Sequence, residues 1–210
     1  MSLQEFILLA TSSLFVIMDP IALIPAFLAM TPHDTPLQRT KMARLACVLS
    51  AVVLILFALT GQVLFKLLAI TLSDFKIAGS IVLLMIALDM LRAQRSRVQS
   101  TDEEADAAAE KEDIAVTPLA IPMLAGPGAI STVILLKGQA KGTAQEIALM
   151  GCIGAVCLVC YVILRVSAHG VAWISPIAMR IVTRIMGLLL AAIAIQFVLD
   201  ALAEQKGRLF

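Results

Sequence analysis

Residues 15–25 read Phe-Val-Ile-Met-Asp-Pro-Ile-Ala-Leu-Ile-Pro, and residues 122–132 read Pro-Met-Leu-Ala-Gly-Pro-Gly-Ala-Ile-Ser-Thr. The two stretches align at an offset of 107 residues, which superimposes Pro20 on Pro127. A proline inside a helix removes a backbone donor and clashes with the preceding turn. Because each stretch lies within a long apolar run, we predict two helices that are interrupted at equivalent points of an internal repeat.

The composition predicts a membrane protein. Apolar residues make up 60% of the chain and charged residues 15%, with a mean hydropathy of +0.98, against roughly 45–50% and about 25% in soluble domains. Six apolar runs are each long enough to cross a hydrocarbon core of about 30 Å as a helix. They cover approximately residues 3–30, 45–70, 75–91, 114–136, 147–164 and 181–203. The predicted fold is therefore an all-α bundle of six transmembrane helices.

A second match extends the repeat to three helices. Residues 76–79 (Lys-Ile-Ala-Gly) align with residues 184–187 (Arg-Ile-Met-Gly) at an offset of 108. We predict a first repeat over residues 1–98, an acidic cytoplasmic linker over 99–113 and a second repeat over 114–210. An odd number of helices per repeat brings the second copy into the membrane from the opposite side, which is the inverted plan of many secondary transporters.

The distribution of charge predicts the orientation. With the N-terminus outside, the inner side carries ten Lys and Arg residues and the outer side six, which favours periplasmic termini in a bacterial inner membrane. The net charge of +1 gives no basic field that would attract nucleic acid. The expected surroundings are therefore lipid, and the sequence leaves open whether copies of the chain form a homo-oligomer.

The two interruptions are the candidate binding site. Asp19 before Pro20 is a typical N-cap followed by a proline at the first helical position. Gly126, Pro127 and Gly128 would begin the second half-helix with glycines that allow close approach to the backbone. Half-helix N-termini attract a carboxylate, while the preceding C-termini offer carbonyls to an ammonium group or a cation. A zwitterionic amino acid matches both.

Hydroxyl groups and one carboxylate complete the predicted site. Ser131 and Thr132 lie one turn into the second half-helix and can donate or accept hydrogen bonds. An intramembrane carboxylate is costly, so Asp19 is a candidate for binding the substrate ammonium or the coupling ion, H⁺ or Na⁺. The alternative is that Asp19 only caps its helix. The predicted substrate-binding residues are Asp19, Pro20, Gly126, Pro127, Gly128, Ser131 and Thr132.

The sequence gives no sign of an enzyme. It contains no nucleotide-binding P-loop, nucleophile elbow or zinc-protease motif. Cys157 and Cys160 form a C-x-x-C within an apolar run, without a second pair to complete a metal site. We therefore expect no cofactor and no bound metal, and a process driven by an ion gradient rather than by ATP. An ion or water channel and a non-transporting scaffold remain as alternatives.

Residues 19–27 (Asp-Pro-Ile-Ala-Leu-Ile-Pro-Ala-Phe) and 120–132 (Ala-Ile-Pro-Met-Leu-Ala-Gly-Pro-Gly-Ala-Ile-Ser-Thr) closely resemble motifs of the MarC family of bacterial and archaeal inner-membrane proteins, which includes small neutral amino-acid transporters. The resemblance covers essentially the whole chain. It implies a six-helix inverted-repeat bundle with discontinuous first and fourth helices around a central site. Ala22 and Leu23 stand where the family's first motif often has Gly and Asn. With one Trp, one Tyr and eight Phe, the composition does not indicate a drug pump.

Overall fold

A computed structural model describes residues 1–31, 34–92, 115–169 and 176–209, apart from the side chains at 176–180, 204 and 206–209. The predicted linker, residues 99–113, lies outside the described residues. Within these ranges the regular structure is entirely helical, which confirms the all-α prediction. The helices are α1 (Leu3–Met18), α2 (Pro20–Met30), α3 (Pro36–Leu68), α4 (Leu72–Arg92), α5 (Ala115–Leu124), α6 (Pro127–Gln139), α7 (Thr143–His169) and α8 (Pro176–Leu209).

The helices extend beyond the apolar runs that predict them. α3 begins at Pro36, where Thr35 and Gln38 form a reciprocal capping box: the Gln38 amide donates to Thr35 Oγ1 over 3.3 Å, and the Thr35 amide to Gln38 Oε1 over 2.9 Å. Hydropathy locates the part of a helix that lipid can cover, whereas polar caps decide where the helix begins. The helix α3 therefore begins before the apolar run that starts at residue 45.

Within the described residues, four helical stretches are long and apolar enough to cross a bilayer. They are Leu3–Met30, Pro36–Leu68, Thr143–His169 and Ile181–Ala203. α5 and α6 together form a fifth candidate, with a bend of 54° between its two halves. α4 is apolar in its centre but carries four ionisable residues in 21, near its two ends. Length and apolarity thus account for four to five of the six predicted spans.

Long helices pack side by side around a continuous apolar core. α4 lies along α8, α3 along α7, and the shorter segments α1, α2, α5 and α6 fill the space between these pairs. Large side chains such as Phe6, Phe27 and Leu54 are fully buried in the core. Many Leu, Ile and Val side chains face outward instead, as expected of a surface covered by lipid. The four cysteines are unpaired and buried, so they pack as small apolar residues.

A buried arginine fixes the corner between α2 and α3. Arg39 is only 4% exposed, and its Nε and Nη2 donate to the Thr31 carbonyl over 3.0 and 2.6 Å. Thr31 is the C-cap of α2, and its hydroxyl donates to the Phe27 carbonyl over 2.8 Å. The guanidinium group therefore satisfies a carbonyl that the end of α2 leaves without an intrahelical donor.

Arg39→Ala should lower the free energy of unfolding by about 1–3 kcal/mol, the usual contribution of hydrogen bonds from a charged, buried group. Thermal unfolding of the purified protein in detergent measures the effect. Arg44→Ala is the matched control, because Arg44 has the same charge on the same helix and is exposed. Equal shifts in the two variants would contradict a specific role for the Thr31 contact.

Candidate functional site

The first interruption is a single residue in the middle of an apolar stretch. Asp19 separates the 16 residues of α1 from the 11 residues of α2. Its φ of 35° lies in the left-handed region, which Asp and Asn tolerate better than most residues. Asp19 Oδ1 accepts a hydrogen bond of 3.2 Å from the Ala22 amide, and Pro20 takes the first helical position. Asp19 is thus the N-cap of α2, as the sequence predicts.

The Asp19 side chain is exposed at the surface of the chain, in the middle of the apolar stretch Leu3–Met30. Pro20 beside it is buried. The first interruption therefore turns its proline toward the protein and its carboxylate toward the outer surface of the chain. Hydropathy alone could not distinguish these faces, because the residues on both sides of Asp19 are equally apolar.

The second interruption is sharper and buried. Gly126 precedes α6 without a side-chain cap, Pro127 is the first helical residue, and the chain bends by 54° between α5 and α6. Residues 126–131 are all buried. The Ile130 amide donates to the Gly126 carbonyl over 2.9 Å, so the first regular turn closes there. Gly126 has no side chain that could satisfy the first-turn amides of Gly128 and Ala129.

α5, which leads into this interruption, is irregular. Its backbone is kinked, with extended backbone angles at Thr117 and Ile121. Each of these residues precedes a proline, and both of these peptide bonds are cis. The Ala125 amide closes the segment by donating to the Ala120 carbonyl over 2.8 Å. The irregularity therefore extends over most of α5.

The structure brings the two interruptions together. A Cβ atom added to Gly128 would lie 3.1 Å from Ile17 Cγ1, in the last turn of α1, and 3.3 Å from Phe197 Cζ of α8. A Cβ atom added to Gly79 of α4 would lie 2.7 Å from Pro127 Cγ. The second interruption is therefore enclosed by α1, α4 and α8 at van der Waals distance.

Three of the residues at this contact had no functional prediction. Gly79 belongs to the repeated motif at residues 76–79, so a glycine in mid-helix was the signal that could have identified it. Ile17 and Phe197 are apolar residues in apolar helices, and nothing in their sequence neighbourhood separates them from others. Only the packing of these two side chains against the start of α6 selects them.

The two predicted hydroxyl groups already donate to their own helix. Ser131 Oγ donates to the Pro127 carbonyl over 2.6 Å, and Thr132 Oγ1 donates to the Gly128 carbonyl over 2.9 Å. In this arrangement each oxygen retains lone pairs for accepting a further hydrogen bond. Of the two roles predicted for these residues, the observed geometry leaves the acceptor role open. Across the described ranges, no group of three or more His, Cys, Asp or Glu side chains is placed to hold a metal ion.

Gly126→Ala should be strongly destabilising and Gly128→Ala well tolerated, although both replace a glycine beside Pro127. A Cβ atom at Gly126 would lie 2.3 Å from the Pro122 carbonyl oxygen, which is backbone, whereas at Gly128 it meets the ends of two side chains. We expect a loss of about 1–3 kcal/mol or more for Gly126→Ala, the range of overpacked cores, in thermal unfolding.

Gly151→Ala is the control for these substitutions. Gly151 lies within α7, is exposed and has no atom within 4 Å of an added Cβ. Replacing it should stabilise the protein by about 0.5–1 kcal/mol through helix propensity alone. Equal stability of the Gly126→Ala and Gly128→Ala variants would contradict the geometry of the second interruption.

The whole chain is similar to known membrane proteins. A model of the MarC family of integral membrane proteins matches residues 4–205. The UPF0056 membrane protein YvbG of Bacillus subtilis is 38% identical over 192 residues, which cover 91% of each chain. MJ1677 of Methanocaldococcus jannaschii is 36% identical over 202 residues, covering 96% of this chain and 98% of the relative. YhcE of Escherichia coli is 31% identical over 189 residues, covering 90% of this chain and 88% of the relative.

No solved structure matches the chain significantly. The extent of these similarities shows that the chain belongs to the MarC family of integral membrane proteins.

Proposed function

We propose that this protein is a secondary transporter of small neutral amino acids or similar zwitterionic metabolites, coupled to H⁺ or Na⁺. The observation that carries the proposal is the contact between the two helix interruptions, where Gly128 lies against Ile17. An interruption leaves backbone groups without helical partners, and in a membrane such backbone is tolerated where it is buried in protein or lines a cavity. Two interruptions at one place therefore offer a polar surface inside an apolar bundle.

An inverted repeat of three helices is part of the proposal, and the packing supports it. Exchanging α1 with α5, α2 with α6, α3 with α7 and α4 with α8 maps the main helix contacts onto one another. α1 packs on α7 as α5 packs on α3, and α2 packs on α8 as α6 packs on α4. Ser50 contacts Ala120, and the offset of 107 residues makes Cys157 and Ser13 the equivalent pair in the other repeat. The sequence neighbours of that pair, Val156 and Ser12, line one groove, so the equivalent segments also lie together.

The relative directions of the helices support six crossings. Gln145 Nε2 donates to the Met1 carbonyl and Cys152 Sγ to the Ile7 carbonyl, so α1 and α7 run parallel. Similarly, α3 runs parallel to the chain through α5 and α6. A parallel arrangement of the second and fourth spans requires the chain to return between them. We therefore assign α4 as the third span, despite its ionisable ends.

The membrane placement follows from these six spans. We propose that the protein lies in the inner membrane with both termini outside, because this orientation places ten of the 16 Lys and Arg residues on the cytoplasmic side. The first repeat then comprises residues 1–98 and the second 114–210, with residues 99–113 as a cytoplasmic linker. We propose no enzymatic activity and no cofactor for this arrangement.

Asp19 has a chemical role in the proposal because its side chain is exposed in the middle of an apolar, membrane-spanning stretch. It lies between 16 and 11 helical residues of a single apolar stretch, far from both ends. A carboxylate facing lipid at that depth would be costly, and such groups instead face a water-filled pathway or a protein neighbour. We propose that Asp19 faces the translocation pathway, where it binds the substrate ammonium group or the coupling ion while its Oδ1 caps α2.

The second interruption supplies the complementary chemistry. The first-turn amides of Gly128 and Ala129, at the positive end of the α6 dipole, are suited to a substrate carboxylate. Ser131 and Thr132 contribute acceptor oxygens one turn further along α6. Pro20 and Pro127 act indirectly, because each fixes the start of its half-helix. Opposite charges near the two interruptions favour a zwitterion over a simple anion or cation.

Asp19→Asn tests this function without removing the helix cap. Asn caps helices as well as Asp and also tolerates the left-handed region. In proteoliposomes, the unmodified protein should accumulate labelled glycine or alanine saturably and in response to an imposed H⁺ or Na⁺ gradient. Asp19→Asn should reduce the rate at least about tenfold, because a hydrogen bond to a charged group contributes roughly 1.5–3 kcal/mol. Asp19→Ala should abolish transport.

The alternatives give different results in the same vesicles. A channel would pass ions or water without saturation and without dependence on a gradient of a second solute. A non-transporting scaffold would keep its cellular function in Asp19→Asn and Gly128→Leu variants. Glu5→Gln is the control for loss of a carboxylate, because Glu5 belongs to the exposed capping box at the start of α1.

A further inference from the structure

We infer that the two interruptions are in opposite states in this structure, the second closed and the first open, and that transport exchanges these states. The inference rests on the proposed transport function and its inverted repeat, in which one repeat moves against the other. The offsets of 107 and 108 residues pair positions near one interruption with positions near the other. Comparing the surroundings of paired positions shows where the two copies are arranged differently.

The first turns of α2 and α6 differ in burial. Both helices begin with a buried proline, and residues 127–131 of α6 are all buried. The positions of α2 that are equivalent to Gly128 and Ala129 are Ile21 and Ala22, and both are exposed. Ile21 is the larger of these two residues and is 62% exposed. The start of α6 is therefore closed by its neighbours, whereas the equivalent turn of α2 is open.

The helix that covers the start of α6 has no equally close counterpart at α2. A Cβ atom at Gly128 would lie 3.1 Å from Ile17 Cγ1 of α1. The equivalent pair at the first interruption is Ile21 of α2 and Leu124 of α5. Leu124 is fully buried while Ile21 is not, and α6 packs on α1 more extensively than α2 packs on α5. The contact that closes the second interruption is thus largely missing at the first.

Two equivalent glycines in α4 and α8 show the same difference. A Cβ atom at Gly79 would meet Pro127 Cγ at 2.7 Å. Gly187 is the equivalent of Gly79, and Pro20 is the equivalent of Pro127. At Gly187 the three nearest atoms belong to α4, at 2.9 and 3.0 Å, rather than to Pro20. Gly79 therefore receives a proline ring, whereas the place equivalent to it is filled by the neighbouring helix.

The exchange of states follows from these pairs. In the opposite state α4 withdraws from Gly187, which then receives Pro20, and Ile21 packs against Leu124. The second interruption opens in exchange. In the proposed orientation α6 lies in the outer half of the membrane and α2 in the inner half. The structure is then the state that is closed on the outer side.

Ile21→Trp tests the exchange, because a bulky side chain suits an exposed position but not a buried one. Thermal unfolding in detergent should be nearly unchanged, and alanine should still bind. Uptake of labelled alanine by proteoliposomes should fall about tenfold or more, the order of population change that overpacking produces. Val166→Trp is the matched control and should transport normally. Val166 is 70% exposed and its equivalent, Leu59, is 58% exposed, so neither state buries this position.

Two pairs of introduced cysteines give a measurement that does not depend on a bulky side chain. Ile17→Cys with Gly128→Cys reports closure of the second interruption, and Ile21→Cys with Leu124→Cys reports closure of the first. Each variant is oxidised with copper–phenanthroline in proteoliposomes, beside the unmodified protein, whose own cysteines are buried. Each disulfide should form and should block alanine uptake until it is reduced. A variant with both pairs should form either disulfide but not both in one molecule, as counted by mass spectrometry.

The outcomes separate this inference from the transport function. If the unmodified protein accumulates alanine, three results would overturn the exchange and leave the transporter standing. These are normal uptake by Ile21→Trp, an equal loss of uptake in Val166→Trp, and both disulfides in one molecule. Loss of alanine binding together with uptake in Ile21→Trp would also overturn it, because the substitution would then act on the binding site. Absence of saturable, gradient-driven uptake by the unmodified protein would overturn the proposed function and this inference with it.

Discussion

The need to satisfy backbone groups inside an apolar environment constrains this structure more than any other interaction. Each unpaired N–H or C=O group in hydrocarbon costs several kcal/mol, so a helix that breaks within a membrane must be compensated locally. The two helix interruptions described above, at Asp19 and at Gly126, differ in how their backbone groups are placed. At the first break the Asp19 carboxylate accepts a hydrogen bond from an α2 amide, whereas the second break has no side-chain cap and lies against α1, α4 and α8.

The difference between the breaks gives them complementary chemistry. The first is a short interruption in an almost continuous 28-residue stretch and carries a negative charge that is exposed. The second bends by 54°, carries no side chain at its cap and is buried. One break therefore presents an anionic group and the other presents backbone donors. In the proposed function, this asymmetry within a repeated architecture distinguishes the two ends of a zwitterionic substrate.

Local signals in the sequence predicted the two helix interruptions. A capping residue followed by proline is decided within three or four residues, and so the breaks at Pro20 and Pro127 could be located without knowledge of the fold. The roles of Ser131 and Thr132 depend on how their hydroxyl groups rotate toward carbonyls, which no pattern of residue types encodes. Phe197, Ile17 and Gly79 depend on where distant helices cross, and an apolar stretch does not reveal which of its residues will meet a partner. The start of α3 lies before its apolar run, because a polar capping box sets the start and hydropathy measures only lipid compatibility.

The position of the second interruption connects substrate binding to movement between the two proposed repeats. Pro127 lies against Gly79 and Gly128 against Ile17, and in the proposed division both contacts join the second repeat to the first. A displacement of one repeat relative to the other must therefore alter the space around the α6 N-terminus. Gly79 allows the Pro127 ring to approach the α4 backbone closely, so the contact depends on shape and not on a polar bond that would have to break. At the other end of α2, hydrogen bonds from Arg39 to the Thr31 carbonyl tie the helix to α3. In the proposed function, the apolar contacts at Pro127 and Gly128 are the ones that must change when one repeat moves against the other, while hydrogen bonds hold the C-terminal end of α2 on α3.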